Sequence, residues 1–177
     1  KGKAVLDVCC APGGKSFQLA DKGATLTSID RSEKRLKFMR ESLSRLNYDF
    51  DLIYMDVFDY KPKKMFDIIL LDPPCTATGT IGKNPDLQFL DPLEKLGELI
   101  KIQQKMLECC SRWLTENGLM IYSVCSLLKE EGENQIKKFL CNNKSFIAVH
   151  PKKQDQLEQV GLEIQEDKGI RIMPFFE

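Results

Sequence analysis

Short apolar runs, each closed by a polar turn, recur along the chain. "AVLDVCC" (4–10) is stopped by "APGG", as a buried strand entering a tight turn would be. "TLTSID" (25–30), "DLIYMD" (51–56), "FDIILLD" (66–72) and "LMIYSVCS" (119–126) read the same way, and "FIAVH" (146–150) and "IRIMPFF" (170–176) predict two more strands. Between the strands the apolar period lengthens to that of a helix. "KSFQLADKG" (15–23) closes at Gly23, and "SEKRLKFMRESLSRL" (32–46) starts from Ser32 as N-cap, with Leu36, Met39, Leu43 and Leu46 as a core-facing stripe. A long helix is expected over roughly 92–116, with Trp113 and Leu114 near its end and Gly118 as a stop, and a further one over 129–140. Strands alternating with helices imply crossover connections and a mostly parallel sheet covered on both faces, a doubly wound α/β domain.

At 177 residues the chain fits one such domain, and neither a repeat nor a second boundary interrupts it. Hydrophobic residues at 42% and charged residues at 29% are ordinary globular values, which excludes a disordered or fibrous chain. Lysine plus arginine equals aspartate plus glutamate, 26 against 26, so no global positive field holds a polyanion, and any such partner must use a local patch. "KPKK" (61–64) and "PKK" (151–153) are such clusters, although basic runs of this length are most often solvated surface. The seven cysteines include two adjacent pairs, Cys9-Cys10 and Cys109-Cys110, and no C-x-x-C, a pattern of free thiols in a reducing compartment. With His150 as the single histidine, zinc spacing is absent and no metal is expected. The chain begins at Lys1 and opens almost directly into a strand, so a fragment of a longer protein is expected.

In a doubly wound sheet, ligands bind beyond the carboxyl ends of the strands. The first three strands place Asp7 with "CCAPGGK", Asp30 and Asp56 at or near those ends. Gly13 and Gly14 allow close approach of a ligand or, equally, close packing, while an acid ending the second strand suits a ribose diol. Together these features suggest an adenosine-containing cofactor, but the turn is neither G-x-G-x-x-G nor a P-loop. Asp7, mid-strand, either faces the ligand or ties down the amides of the turn.

More specific signals follow. "LDVCCAPGGKS", "SID" with "KRL" behind it, "MDVFDY", "FDIILLDPPCTATGT" and "LMIYSVCSLLKEEGENQI" occur in this order across residues 2–140. In these motifs the chain resembles the RNA 5-methylcytosine methyltransferases, the family of the bacterial Sun/Fmu ribosomal RNA enzymes and the eukaryotic NOL1/NOP2/Sun proteins. The resemblance implies a Rossmann-like fold that uses S-adenosylmethionine (S-adenosyl-L-methionine), held by Cys10, Ala11, Pro12, Gly13, Gly14, Lys15, Ser16, Asp30, Asp56 and Asp72. It implies Cys125 as nucleophile and Cys75 as the thiol that assists release, an RNA substrate, ribosomal RNA with tRNA as the alternative, and an RNA-binding region N-terminal to this catalytic domain. Compartment follows source: cytoplasm in a bacterium, nucleolus, nucleus or organelle in a eukaryote. A monomer is the favoured state. Two departures stand out: Asn84 in "KNPD" occupies a position where the family commonly has histidine, and "RIMPFFE" lacks the glycine-rich turn that the family usually places there.

The chemistry explains why two thiols are needed. Carbon 5 of cytosine is a poor nucleophile until a thiolate adds to carbon 6, a step assigned to Cys125. After methyl transfer a base takes the carbon 5 proton and the enzyme sulfur leaves, which Cys75 is expected to assist. Asp72 suits ring nitrogen 3, where charge develops, and Pro73 and Pro74 keep the turn extended. The base must arrive unstacked. Lys15 is assigned to the site, with a substrate phosphate or the turn itself as its partner. His150 ends a later strand and is weighed mainly as structural; Cys9, Cys109, Cys110 and Cys141 are read as buried packing. The rival functions are methylation of another acceptor and an inactive RNA-binding or assembly module that keeps the fold.

Overall fold

The computed structural model describes residues 1–149 and the two-residue strands Glu163–Ile164 and Ile170–Arg171. The chain divides into two compact units, Lys1–Pro74 with Lys105–Ser123, and Cys75–Gln104 with the chain from Val124 onward.

The first unit holds a five-stranded sheet of β1 (Ala4–Val8), β2 (Thr25–Asp30), β3 (Asp51–Tyr54), β4 (Phe66–Leu71) and β5 (Leu114–Tyr122). Its order is β3-β2-β1-β4-β5 and every pairing is parallel. The central strands are the most covered, with Val5, Leu6, Val8, Ile69 and Leu71 almost wholly buried. The edges are less covered, with Tyr54 on β3 and Leu119 and Ile121 on β5 exposed. Strand order reverses between β1 and β4, where a parallel sheet opens its crevice.

Helix α1 (Gly14–Asp21) leaves the turn after β1, and α2 (Glu33–Leu46) follows β2. Ser32 caps α2 as expected, its hydroxyl accepting from the Arg35 amide at 3.4 Å. Only half of the anticipated stripe is core: Leu36 and Met39 are buried against Cys10 and Ala11, with Phe17, Phe50 and Leu52 beside them, whereas Leu46 is exposed as the helix turns away. Burying each of the two stabilises by roughly 2 kcal/mol.

The region after position 92 departs from expectation. Helix α3 is Leu96–Ser111 and β5 begins at Leu114, so Leu114 is a strand residue and Gly118 lies inside the strand instead of ending a helix. The polar "TEN" hides this because the strand is irregular there. Asn117 sits at φ 61 and the pairing with β4 jumps from Phe66↔Leu114 to Ile68↔Leu119.

The second unit contains two 3₁₀ turns, Thr78–Thr80 and Pro85–Phe89, the start of α3, helix α4 (Glu133–Asn142), and β6 (Glu163–Ile164) paired antiparallel with β7 (Ile170–Arg171). The helix begins at Glu133 and not at Lys129, since 129–132 form a turn that buries only Glu131. The strand expected over 146–150 is absent at 146–149, where Phe146 stacks edge-on against Phe139 of α4, with ring centroids 5.2 Å apart. His150, the "PKK" cluster and 172–176 lie outside the described residues.

Candidate functional site

The turn between β1 and α1 is fastened from below. Asp30, at the end of β2 and 2% exposed, accepts the Ala11 amide at 3.0 Å on one oxygen, and the Ser32 amide at 2.8 Å and the Arg35 guanidinium at 3.1 Å on the other. Arg35 also donates to the Ala11 carbonyl at 3.2 Å. Arg35, which was not singled out in the sequence because it looks like any basic residue on a helix, thereby joins Asp30 in tying the amide and the carbonyl of Ala11 to the end of β2. Gly13 lies at φ 106 with room for no side chain: a Cβ would fall 2.9 Å from Phe17 and 3.0 Å from Met39. Gly14 opens to free space.

Asp7 is tied to the side chain of Ser16 in α1. It is buried at 1% exposure and accepts the Ser16 hydroxyl at 2.5 Å, with the Ser28 hydroxyl 3.2 Å from that of Ser16. Burial pushes the Asp7 carboxyl up to about 6, an effect only partly offset by the Ser16 hydrogen bond and by Lys15 nearby. Ser16 is itself fully buried, so its side chain serves the sheet.

Beside this turn, Val8, Ile29, Met55 and Val57 give apolar walls to a cleft that also takes in Asp30 and Asp56. Asp56, just past β3, accepts the Phe58 amide at 3.0 Å. An apolar slot with acids at two strand ends fits a nucleoside with a ribose diol. Cys9 also lines the cleft, and burial pushes its thiol up to about 12. Across the turn the Lys15 ammonium is 2.5 Å from Asp72, which closes β4 and is partly exposed. Lys15 is therefore a partner of Asp72 in this structure.

In the second unit the thiols of Cys75 and Cys125 are 3.3 Å apart. Fifty residues of chain separate them, and a set of hydrogen bonds between the segments that follow them brings them together. The Thr76 and Ser126 hydroxyls are 3.1 Å apart, the Leu127 amide donates to the Thr78 hydroxyl at 2.9 Å, and the Gly79 amide donates to the Cys125 carbonyl at 3.0 Å. Beneath them Glu131, at 0% exposure, accepts the Thr76 amide at 3.0 Å and the Thr76 hydroxyl. Gln103 donates to Glu131 at 2.8 Å, and Gln135 donates to Gln103 at 3.0 Å. Glu131 was missed in the sequence, where it is one of three acids in "KEEGE" and nothing marks the one that turns inward.

The two thiols differ. Cys125 is exposed and Cys75 half-buried. The hydrogen bond to Cys125, and then burial, holds the Cys75 thiol well above its ordinary pKa, so it keeps its proton at neutral pH. An open recess in this unit is lined by Cys75, Thr76, Thr78, Leu87, Leu90 and Leu99. Asn84 is exposed nearby in sequence and donates its side-chain amide to the Thr80 hydroxyl at 3.1 Å, which fastens the 77–84 loop to itself.

Of the remaining cysteines, Cys110 is buried and Cys109 half-buried, but Cys141 is exposed on α4 and does no packing. Among the described residues no group of three or more His, Cys, Asp or Glu side chains could hold a metal ion, and no helix is long and apolar enough to cross a membrane.

A family model described as 16S rRNA methyltransferase RsmB/F matches residues 1–176. The Ribosomal RNA small subunit methyltransferase B of Shewanella oneidensis is 37% identical over 141 residues, covering 77% of this chain and 33% of its own length. The chain thus spans about a third of the curated relatives it matches. Among solved structures, PH0851 superposes with a TM-score of 0.82 at 31% identity, over 86% of this chain and 36% of that one. NSun6 from Pyrococcus horikoshii, solved with SFG, superposes with a TM-score of 0.70 at 29% identity, over 84% of this chain and 41% of that one.

Proposed function

The chain belongs to the 16S rRNA methyltransferase RsmB/F family and has the Rossmann-like fold of S-adenosylmethionine-dependent methyltransferases, and from that premise we propose that it is the catalytic domain of a longer enzyme that methylates carbon 5 of a cytosine in ribosomal RNA. The observation that carries the reading is the 3.3 Å approach of two thiols, one exposed and one held protonated, because cytosine-5 methylation through a covalent adduct needs a thiol to attack and can use a second, protonated one to assist its release.

Bound at the first unit, S-adenosylmethionine would supply an electrophilic methyl group on a sulfonium centre. The turn from Cys10 to Lys15, with Asp56 at the cleft, would hold it, and Asp30 with Arg35 would keep that turn in shape. The relatives' names carry ribosomal RNA, and the SFG in the NSun6 structure is an analogue of this cofactor.

Cys125 adds as thiolate to carbon 6 of the base, forming a carbon–sulfur bond while the carbon 5–carbon 6 electron pair becomes available at carbon 5. Once carbon 5 has taken the methyl group, its proton passes to a base, the double bond re-forms and the Cys125 sulfur leaves as thiolate. Cys75, protonated and 3.3 Å away, can hydrogen-bond to that departing sulfur. Asp72 is assigned to ring nitrogen 3 in this scheme, and Lys15 lies 2.5 Å from one of its two carboxylate oxygens.

Incubating full-length protein with unmodified ribosomal RNA and labelled S-adenosylmethionine, then mapping the labelled nucleotide, tests this reading. Label on carbon 5 of cytosine is the expected result. Label on an exocyclic amine, or none in RNA, would contradict it.

A further inference from the structure

We propose that Glu131 is a positioning residue that holds the Cys75 turn against the Cys125 turn and so sets the spacing of the two thiols, an inference that rests on the attacking and releasing roles just described. Each reactive cysteine is followed directly by a hydroxyl residue, Thr76 after Cys75 and Ser126 after Cys125. The two hydroxyls bond to each other, so the spacing of the sulfurs depends on where Thr76 is held. Both the amide and the hydroxyl of Thr76 end on the Glu131 carboxylate. That carboxylate is fully buried and reaches the Cys75 turn through Thr76. It is held in turn by Gln103, and Gln103 by Gln135, whose side chain also donates to the Ile100 carbonyl at 2.7 Å.

The donor pattern makes the acid specific. One Glu131 oxygen accepts the Thr76 amide and the Gln103 side-chain amide, both obligate donors. The other accepts the Thr76 hydroxyl and, at 3.2 Å, the Thr76 amide again. Replacing the first oxygen with an NH₂ group sets a donor against two obligate donors, and replacing the second sets one against the Thr76 amide and forces the Thr76 hydroxyl to accept, so glutamine, nearly the same shape, weakens the arrangement.

The direct test reads the thiol spacing without RNA or cofactor. Phenylarsine oxide condenses with two neighbouring thiols, forming two arsenic–sulfur bonds and releasing one water, and peptide mapping of full-length protein shows which cysteines it bridges. The wild-type protein should give a Cys75–Cys125 bridge, and Glu131→Gln should form it about tenfold more slowly, with cofactor affinity within about twofold of wild type. In turnover, Glu131→Gln should lower kcat by about tenfold, leave KM for RNA within about twofold, and accumulate a covalent RNA adduct that requires Cys125. A folded Glu131→Gln protein that bridges at the wild-type rate overturns the proposal. So does a fall in bridging matched by an equal loss of cofactor affinity, which is general disruption. If Glu131→Gln does not fold, Thr76→Val decides in its place, because it removes only the hydroxyl, and wild-type bridging there overturns the proposal too. Since the arsenical uses no substrate, a failure of the methylation reading leaves this readout intact and is told apart by the RNA assay.

Discussion

Asp30 and Glu131 do the same job for different turns. Each is a buried carboxylate that accepts a backbone amide of a chemistry-bearing turn, Ala11 in one unit and Thr76 in the other. They differ in a partner each has: Asp30 accepts the Arg35 guanidinium, whereas Glu131 accepts the Gln103 side-chain amide, which Gln135 holds in turn. The Asp30 turn also presents backbone and apolar walls to its cleft, whereas the Glu131 turn sits beneath reactive sulfur. A charged partner fixes a carboxylate strongly and tolerates no neutral substitute. A neutral partner fixes it by geometry, with less energy at stake in the charge and more in the direction of each donor.

The largest expected effect follows from that difference. Asp30→Asn leaves Arg35 facing a neutral amide and should cost about 3 kcal/mol of stability, below the full penalty for a broken buried pair because Arg35 is half exposed. Glu131→Gln should cost about 1–2 kcal/mol. Urea unfolding midpoints check both, and equal costs would break the contrast.

Asp7 sharpens it, as a third buried acid held chiefly by a hydroxyl. Its folded carboxyl is raised to about 6 from an ordinary value of 3.8, so between those values the native state holds a proton that the unfolded chain has lost. The stability this group contributes is present below about pH 4 and is lost as pH rises through about 6. Wild type should therefore lose up to about 2–3 kcal/mol more than Asp7→Asn between about pH 4 and pH 7. Parallel pH profiles of unfolding for the two proteins would contradict the assignment.

The smallest effects separate shape from ligand contact within the cofactor turn. Gly13→Ala should destabilise by about 1–2 kcal/mol through its positive φ and its clash with Phe17 and Met39. Gly14→Ala has open space and should stay within about 0.5 kcal/mol of wild type. A loss of S-adenosylmethionine affinity in Gly14→Ala at unchanged stability would mark that glycine as one a ligand approaches.

The sequence foretold best those elements whose pattern has a single physical cause. β1 and β4 are mostly apolar, and β2 is buried from Leu26 onward, because both faces of a central parallel strand are covered. The two cysteine turns were legible because their motifs are specific. The start of β5 was not, because its polar bulge at 115–118 breaks the alternation on which a strand is recognised. Arg35 and Glu131 were invisible for a different reason: whether a charged residue on a helix or turn faces solvent or fastens a loop is decided by partners far away in sequence, Ala11 for one and Thr76 for the other. Asp30 looked like a ligand of the cofactor ribose, and the structure adds that its two oxygens already hold the turn and Arg35.

The division of labour between the two thiols is best tested on full-length Cys75→Ala given RNA and S-adenosylmethionine. With Cys125 attacking and Cys75 assisting release, this protein should trap a denaturation-resistant covalent complex with methylated RNA, and the Cys75→Ala, Cys125→Ala double variant should trap none. Free multiple turnover by Cys75→Ala, or a trapped complex that survives loss of Cys125, would contradict it.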